Sequence, residues 1–197
     1  MIVSFRDRET ETLARGQRVK RFVSIEASAR RKLRQLQIAG RLSDLRVPPG
    51  NRLEALKGNR AGQHSIRVND QYRICFRWTA AGAEDVEIVD YHCRSARTMG
   101  HLKPVTPGEL LREEFLVPMG LTQYRVAKEI GVSAQRIGEI VAGRRTITAD
   151  TDLRLCRLFG LSNGYWLRAQ AAYDTEVAER ELAATLRRIK PWVGTAA

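Results

Sequence analysis

The feature that most constrains this chain is the run Val86-Glu87-Ile88-Val89-Asp90-Tyr91-His92 and the change of pattern behind it. β-Branched residues packed into so short a run specify a strand, and this one ends on an acid, a phenol and an imidazole side by side. Immediately afterwards the hydrophobic pattern stops, and a differently patterned chain begins near Pro104. The break divides the 197 residues into a domain over 1–93, a linker over 94–103 and a second domain over 104–197. Each part is long enough to bury a core of its own.

Ahead of the break the sequence reads as helices followed by a meander. Residues 72–78 alternate, with Tyr72, Ile74, Phe76 and Trp78 on one face and Arg73, Cys75 and Arg77 on the other. A strand over 63–68 precedes them through a two-residue hairpin turn at Asn69-Asp70. Residues 52–56 give a further strand that stops at Lys57-Gly58, and Ala81-Gly82 turns the chain into the last one. Residues 2–5 form a short opening strand and 7–15 a weakly patterned helix. A better helix spans 24–39, with Ser24 as N-cap and Ile25, Ala29, Leu33 and Leu36 on one stripe. Its opposite face carries Arg30, Arg31, Lys32 and Arg34, which either contact RNA phosphates or face water. Helices packed on an antiparallel sheet make this an α+β domain.

Charge narrows the partner. The net charge is +12, and residues 1–98 hold 20 Lys and Arg against 11 Asp and Glu. Most of these cations are arginines, whose planar fork takes two phosphate oxygens at once. A nucleic acid is the expected partner. The cysteines at 75, 93 and 156 are odd in number and scattered, which fits neither a disulfide framework nor zinc spacing. No apolar stretch approaches a membrane span and no signal-peptide core precedes the first domain, so a cytoplasmic location is expected. No cofactor and no metal is expected either.

The second domain carries a more specific signal. Thr106-Pro107-Gly108-Glu109 opens a helix with a cap, a proline at its first position and an acid in its first turn. A second helix begins at Leu121-Thr122-Gln123, and a third runs over 134–142 after Gly131-Val132-Ser133. The spacing of Ala127, Gly131, Ile137 and Ile140 is that of a helix-turn-helix: a small residue where the helices meet, a left-handed turn, and two apolar fillers. Ser133, Gln135, Arg136 and Glu139 then lie on the outward side of the recognition helix, where Gln suits adenine edges and Arg suits guanine edges. Arg144 and Arg145 follow it and either hold phosphates or sit in a solvated loop. A fourth helix over 148–159 is capped by Thr148, and an amphipathic helix over 176–189 ends at Pro191-Trp192. An all-α helix-turn-helix domain results.

Family patterns appear on both sides of the break. The segment Arg52-Leu53-Glu54-Ala55-Leu56-Lys57-Gly58, followed by Ser65-Ile66-Arg67-Val68-Asn69, Tyr72-Arg73-Ile74 and Asp90-Tyr91-His92, resembles a HigB-type toxin of the RelE superfamily over residues 1–92. The opening Val105-Thr106-Pro107-Gly108-Glu109-Leu110-Leu111 and the run from Leu161 to Asp174 are similar to HigA-type antitoxins of the XRE class, over about 104–178.

The first resemblance implies ribosome-dependent, metal-independent cleavage of mRNA, with the ribose 2′-hydroxyl as nucleophile. Lys57 and Arg73 would then neutralise charge on the scissile phosphate. His92 would exchange a proton, Asp90 would orient it or help activate the hydroxyl, and Tyr91 would stack on a base. Glu54 stands where the family pattern Leu-His-Pro-Leu-Lys-Gly carries histidine; it is either a substitute general base or an idle carboxylate. The second resemblance implies operator DNA as partner and a homodimer through the antitoxin domain, with toxin–antitoxin contact within or between chains. The expectation is a fused toxin–antitoxin polypeptide that represses its own operon. The alternative is a transcriptional regulator whose toxin-like domain is inactive and only binds RNA or protein. The fusion is either natural or two reading frames joined near Met99.

Overall fold

A computed structural model describes residues 1–90 and 102–190. Tyr91 and His92, most of the expected linker, and Trp192 lie outside the described residues.

The first half is helices on an antiparallel sheet, as its sequence requires. Four strands pair in the order β1 (Glu54–Ala55), β2 (Gln63–Arg67), β3 (Tyr72–Thr79) and β4 (Gly82–Asp90), each antiparallel to its neighbour. Residues 2–5 do not enter the ladder as a full strand. They run parallel to β4 through isolated bridges, Ile2 to Ala83 and Phe5 to Val86. α1 (Arg8–Ala14) is capped by Asp7, whose carboxylate accepts the Thr10 amide at 2.8 Å. The main helix α2 is shorter than expected, Glu26–Ile38, because residues Lys20–Ile25 wind into a tighter 3₁₀ turn. Ser24 therefore lies inside that turn, and no side chain caps α2.

Two sheet details differ from the sequence reading. β1 is only two residues long, since Arg52 takes a left-handed conformation (φ 42°) that delays pairing. The hairpin joining β2 and β3 closes on Val68, whose amide donates to the Tyr72 carbonyl at 2.9 Å, leaving three loop residues instead of two. Asn69 supplies the turn itself: its side-chain oxygen accepts the Gln71 and Tyr72 amides at 3.0 and 2.7 Å. The alternation of β3 holds through Phe76, with Tyr72, Ile74 and Phe76 buried against Phe22, Ala29, Leu33 and Leu36. A bulge opposite Phe76, marked by Asp85 at φ 53°, then re-aims the strand end.

The second half is all helix. α3 (Pro107–Leu110) starts on Thr106, which accepts the Glu109 amide at 2.9 Å, and widens into a π-helical stretch over Leu111–Leu116. α4 (Gln123–Glu129) and α5 (Ala134–Val141) are capped by Thr122 and Ser133. Ala127, Ile137 and Ile140 are buried between them and Gly131 is left-handed (φ 67°), so the helix-turn-helix spacing is realised. Gly108 is as constrained as Gly131: a Cβ there would stand 2.0 Å from the Ile140 carbonyl oxygen, so α3 crosses α5 only through a glycine. α6 (Ala149–Phe159) follows Thr148, which fills the cap position without a capping bond to the helix amides. The amphipathic helix expected from 176 begins much earlier, as α7 (Tyr165–Glu181), and α8 (Ala183–Leu186) is a short continuation. Asp152, buried in α6, anchors α7 by accepting the Gly164, Trp166 and Leu167 amides at 2.7, 2.8 and 3.1 Å.

The halves dock along the outer face of α2. Arg30, Arg31, Lys32 and Arg34 meet neither water nor a vacant surface; carboxylates of the second half take all four. Arg31 pairs with Glu114 at 2.9 Å and Glu109 at 3.3 Å, and Arg30 pairs with Glu176 at 3.0 Å. Lys32 pairs with Glu114 and Arg34 with Glu176. Lys32 also donates to Asn51, which is fully buried and ties α2 to the Leu45 carbonyl. Beside this row, Ile38 leaves the first core and packs into the second. Asp44, fully buried, accepts the Ser162 amide at 2.9 Å and its hydroxyl at 2.5 Å across the junction.

Candidate functional sites

The sheet face turned away from the helices carries the first candidate site. Directly opposed residues share a face, so the register groups Glu54, Ser65, Cys75 and Glu87, with Arg67, Arg73 and Val89 beside them. Arg73 sits at the centre. Its guanidinium reaches Glu54 at 2.9 Å, the Ser65 hydroxyl at 2.9 Å and the Arg52 carbonyl at 3.0 Å. The left-handed Arg52 costs about 1–3 kcal/mol of backbone strain and is held in part by that last bond. The arginine is only 17% exposed while Glu54 is 56% exposed, so the pair presents a carboxylate to solvent and a cation beneath it.

The other expected members are placed less closely. Lys57 is exposed at the start of the turn after β1. Asp90 stands opposite Tyr72 in the register, hence on the helix-side face, and its carboxylate accepts from the Gln71 amide group at 3.2 Å. Burial pushes the Tyr72 phenol up, and its bond to Asp90 adds to the effect. The structure thus brings Glu54 and Arg73 together and sets Asp90 on the opposite side of the strand end; Tyr91 and His92 fall outside the described residues.

Arg60 is a member that the sequence reading missed. It reaches Glu87 at 3.0 Å and lies against the buried Cys75 on the same face as Arg73. Only its position three residues past Lys57 hinted at it. Burial pushes the Cys75 thiol up despite Arg60, so this cysteine is a poor nucleophile at neutral pH.

The second candidate site is the recognition helix α5. Ser133 and Gln135 are exposed and Arg136 and Glu139 half-exposed, so all four line the outward side. They are already bonded to one another or to neighbours. Gln135 donates to Glu139 at 2.9 Å, Arg145 donates to the same carboxylate at 2.6 Å, and Arg136 pairs with Asp150 at 2.9 Å. The Arg145 bond, seconded by Gln135, holds the Glu139 carboxyl below its ordinary range. Arg144 is exposed beside them. Glu139 therefore holds one amide and one guanidinium on the outward side of α5.

Comparison with known proteins agrees with this architecture. Residues 4–92 match the family model described as the RelE-like toxin of the type II toxin–antitoxin system HigB, and residues 111–166 match a helix-turn-helix model. Toxin HigB-1 of Vibrio cholerae is 46% identical over 80 residues, 40% of this chain and 84% of that protein. Antitoxin HigA-1 of the same organism is 35% identical over 72 residues, 36% of this chain and 68% of that protein. The chain belongs to both the HigB toxin and the HigA antitoxin families. Virulence-associated protein I of Dichelobacter nodosus is 53% identical over 77 residues, 39% of this chain and 71% of that protein. Among solved structures, Pseudomonas aeruginosa antitoxin HigA with the higBA promoter is 33% identical and covers 46% of this chain and 99% of its own, with a TM-score of 0.43. A HigB-like half and a HigA-like helix-turn-helix half are thus joined in one polypeptide, the arrangement of a toxin–antitoxin fusion. No helix among the described residues is long and apolar enough to cross a membrane.

Proposed function

We propose that the HigB-like half is an mRNA endoribonuclease acting on the ribosome, and that the HigA-like half restrains it and represses its own operon by binding operator DNA as a dimer. The observation that carries the nuclease reading is Arg73, a mostly buried guanidinium aimed at the open sheet face and held from behind by Ser65 and the Arg52 carbonyl. A cation fixed in that way needs no reorganisation when charge grows on a phosphate, which is the costly part of stabilising such a transition state. Lys57 lies on the exposed turn at the edge of that face, and Glu54 is the group present to accept a proton from a ribose hydroxyl. Tyr91 and His92, which follow β4 in the sequence, are assigned the base-stacking and proton-transfer roles, and Asp90, on the opposite side of the strand end, is assigned the part of orienting His92. The reaction needs proton carriers and cations, and no metal or cofactor enters it.

Operator binding is supported by the buried Ala127, Ile137 and Ile140 and the left-handed Gly131, which fix α5 as a projecting helix with Gln135, Arg136, Arg144 and Arg145 around it. The test is primer extension on programmed ribosomes with residues 1–92, with circular dichroism to establish folding. The fragment is expected to cut, and Arg73→Ala to cut about 100-fold or more slowly; a folded fragment that leaves mRNA intact refutes the proposal.

A second reading has one observation in its favour. Glu54 neutralises Arg73 directly, so the half could be a catalytically idle RNA- or protein-binding module attached to a transcriptional regulator. Under that reading Glu54→His leaves the fragment inert, whereas under the first it preserves or raises cleavage.

A further inference from the structure

The arginine row of α2 does more than an adhesive surface requires. Positions 30, 31, 32 and 34 spread four cations round the outer side of α2, and three of the four are guanidinium groups. Every one is taken by a carboxylate oxygen of the HigA-like half, and only three glutamates do it: Glu109, Glu114 and Glu176. Glu176 alone receives Arg30, Arg34 and also Arg180. Buried ion pairs are a weak source of stability, because desolvation offsets most of the attraction. The same junction has an apolar contact in Ile38 and a well-satisfied carboxylate in Asp44, so adhesion alone gives no reason for two buried and two mostly buried cations. Spaced carboxylate oxygens meeting a row of guanidinium groups also present the contacts that a nucleic-acid backbone would make.

We propose that the α2 row is an RNA-backbone-binding surface of the HigB-like half, masked in this state by glutamates that stand in for phosphates. This rests on the reading of that half as RNA-directed and adds where the backbone is gripped. Leu33 and Leu36 of α2 pack on the sheet, so the row lies on the far side of the domain from the Glu54–Arg73 face. An RNA long enough to reach both would wrap the domain, and the HigA-like half would block the wrap without touching the sheet face.

The experiment uses the full chain and a 20-nucleotide single-stranded RNA in a fluorescence anisotropy titration. In Glu109→Gln/Glu114→Gln/Glu176→Gln the buried cations lose their partners and the junction opens. RNA affinity is expected to rise at least about tenfold at low salt, and four added phosphate contacts should steepen the log affinity–log salt slope by roughly 3. Adding Arg30→Gln/Arg34→Gln to this variant should reverse most of the gain. A charge-matched control, Glu129→Gln/Asp174→Asn/Glu181→Gln, removes as many carboxylates away from the row and should gain far less. No gain in the first variant, or an equal gain in the control, overturns the proposal.

Should the triple variant not fold, hydrogen exchange on the wild-type chain decides. Saturating RNA must then speed exchange around Ser162, at the junction, and unchanged protection overturns the proposal. Cleavage on ribosomes is read separately, so loss of the masking idea leaves the nuclease reading standing, and the reverse.

Discussion

Asp44→Asn is the most informative single change for whether the two halves behave as one unit. Asp44 has no exposed surface, and every group facing it is a donor: the Gly40 amide at 2.9 Å, the Arg41 amide at 3.2 Å, the Arg41 guanidinium at 3.1 Å, and the Ser162 amide and hydroxyl at 2.9 and 2.5 Å. Asparagine has the same shape but turns one oxygen into a donor. If the new amide nitrogen replaces Oδ1, the Ser162 amide and the Arg41 guanidinium lose their acceptor. Arg41 is 56% exposed and recovers water, whereas the Ser162 amide is held inside the junction. One buried unsatisfied amide costs about 1–3 kcal/mol, and the remaining bonds lose charge assistance, so the total is roughly 2–4 kcal/mol. For a chain of this length that lowers Tm by roughly 4–16 °C.

The assay is calorimetry of wild type, Asp44→Asn, Ser162→Ala and the double variant. Coupling of about 1 kcal/mol or more between Asp44 and Ser162 is expected, since they share bonds across the junction. A loss under about 1 kcal/mol for Asp44→Asn, or no coupling with Ser162, would refute the claim that this carboxylate fastens one half to the other.

The same carboxylate has a pH signature: the Ser162 bonds, with Gly40 and Arg41, outweigh burial and hold it below its ordinary 3.8. A lowered folded value means stability is present above the unfolded pKa and lost as pH falls through the folded one. Wild type should therefore lose stability below about pH 4 more steeply than Asp44→Asn, measured by urea midpoints against pH. Asp152→Ala should lower the stability of the helical half by roughly 2–4 kcal/mol, because one buried and two partly buried amides at the start of α7 lose their acceptor; an unchanged denaturation midpoint would count against it. Burial pushes the Cys156 thiol up to about 11, so at pH 8 only about a thousandth of it is thiolate. Alkylation followed by mass spectrometry should find Cys156 unlabelled in the folded chain and labelled in denaturant. Gly108→Ala should disrupt the helix-turn-helix more than Gly138→Ala, since a Cβ at 108 meets backbone at 2.0 Å and one at 138 meets only a side-chain oxygen at 3.3 Å; circular dichroism melts separate them.

What the sequence determined by itself was everything with a short repeat or a short spacing. The alternation of Tyr72, Ile74 and Phe76 decides which face of β3 is core, because side chains alternate whatever the rest of the chain does. Ala127, Gly131, Ile137 and Ile140 specify a helix-turn-helix for the same reason: the contacts they make are with residues a few positions away. The cap at Thr106 is equally local, whereas those expected at Ser24 and Thr148 make no capping bond. Glu54 and Arg73 of the candidate sheet site were legible in the sequence, but Arg60 and the grouping were not, since which strand face Arg73 and Asp90 occupy depends on a register that the bulge and the three-residue hairpin help set.

Only the tertiary structure decided what the charges do. Four cations on one face of α2 look alike whether they meet water, RNA or protein, because charge alone names no partner. Glu109, Glu114 and Glu176 lie 78 to 146 positions away from the cations they hold, and no local pattern encodes a pairing at that separation. The wide π-helical stretch that contains Glu114, the left-handed Arg52 that shortens β1, and the buried Asp44 that reaches Ser162 belong to the same class. Each depends on contacts between residues far apart in the chain, within one half for Arg52 and across the junction for Asp44.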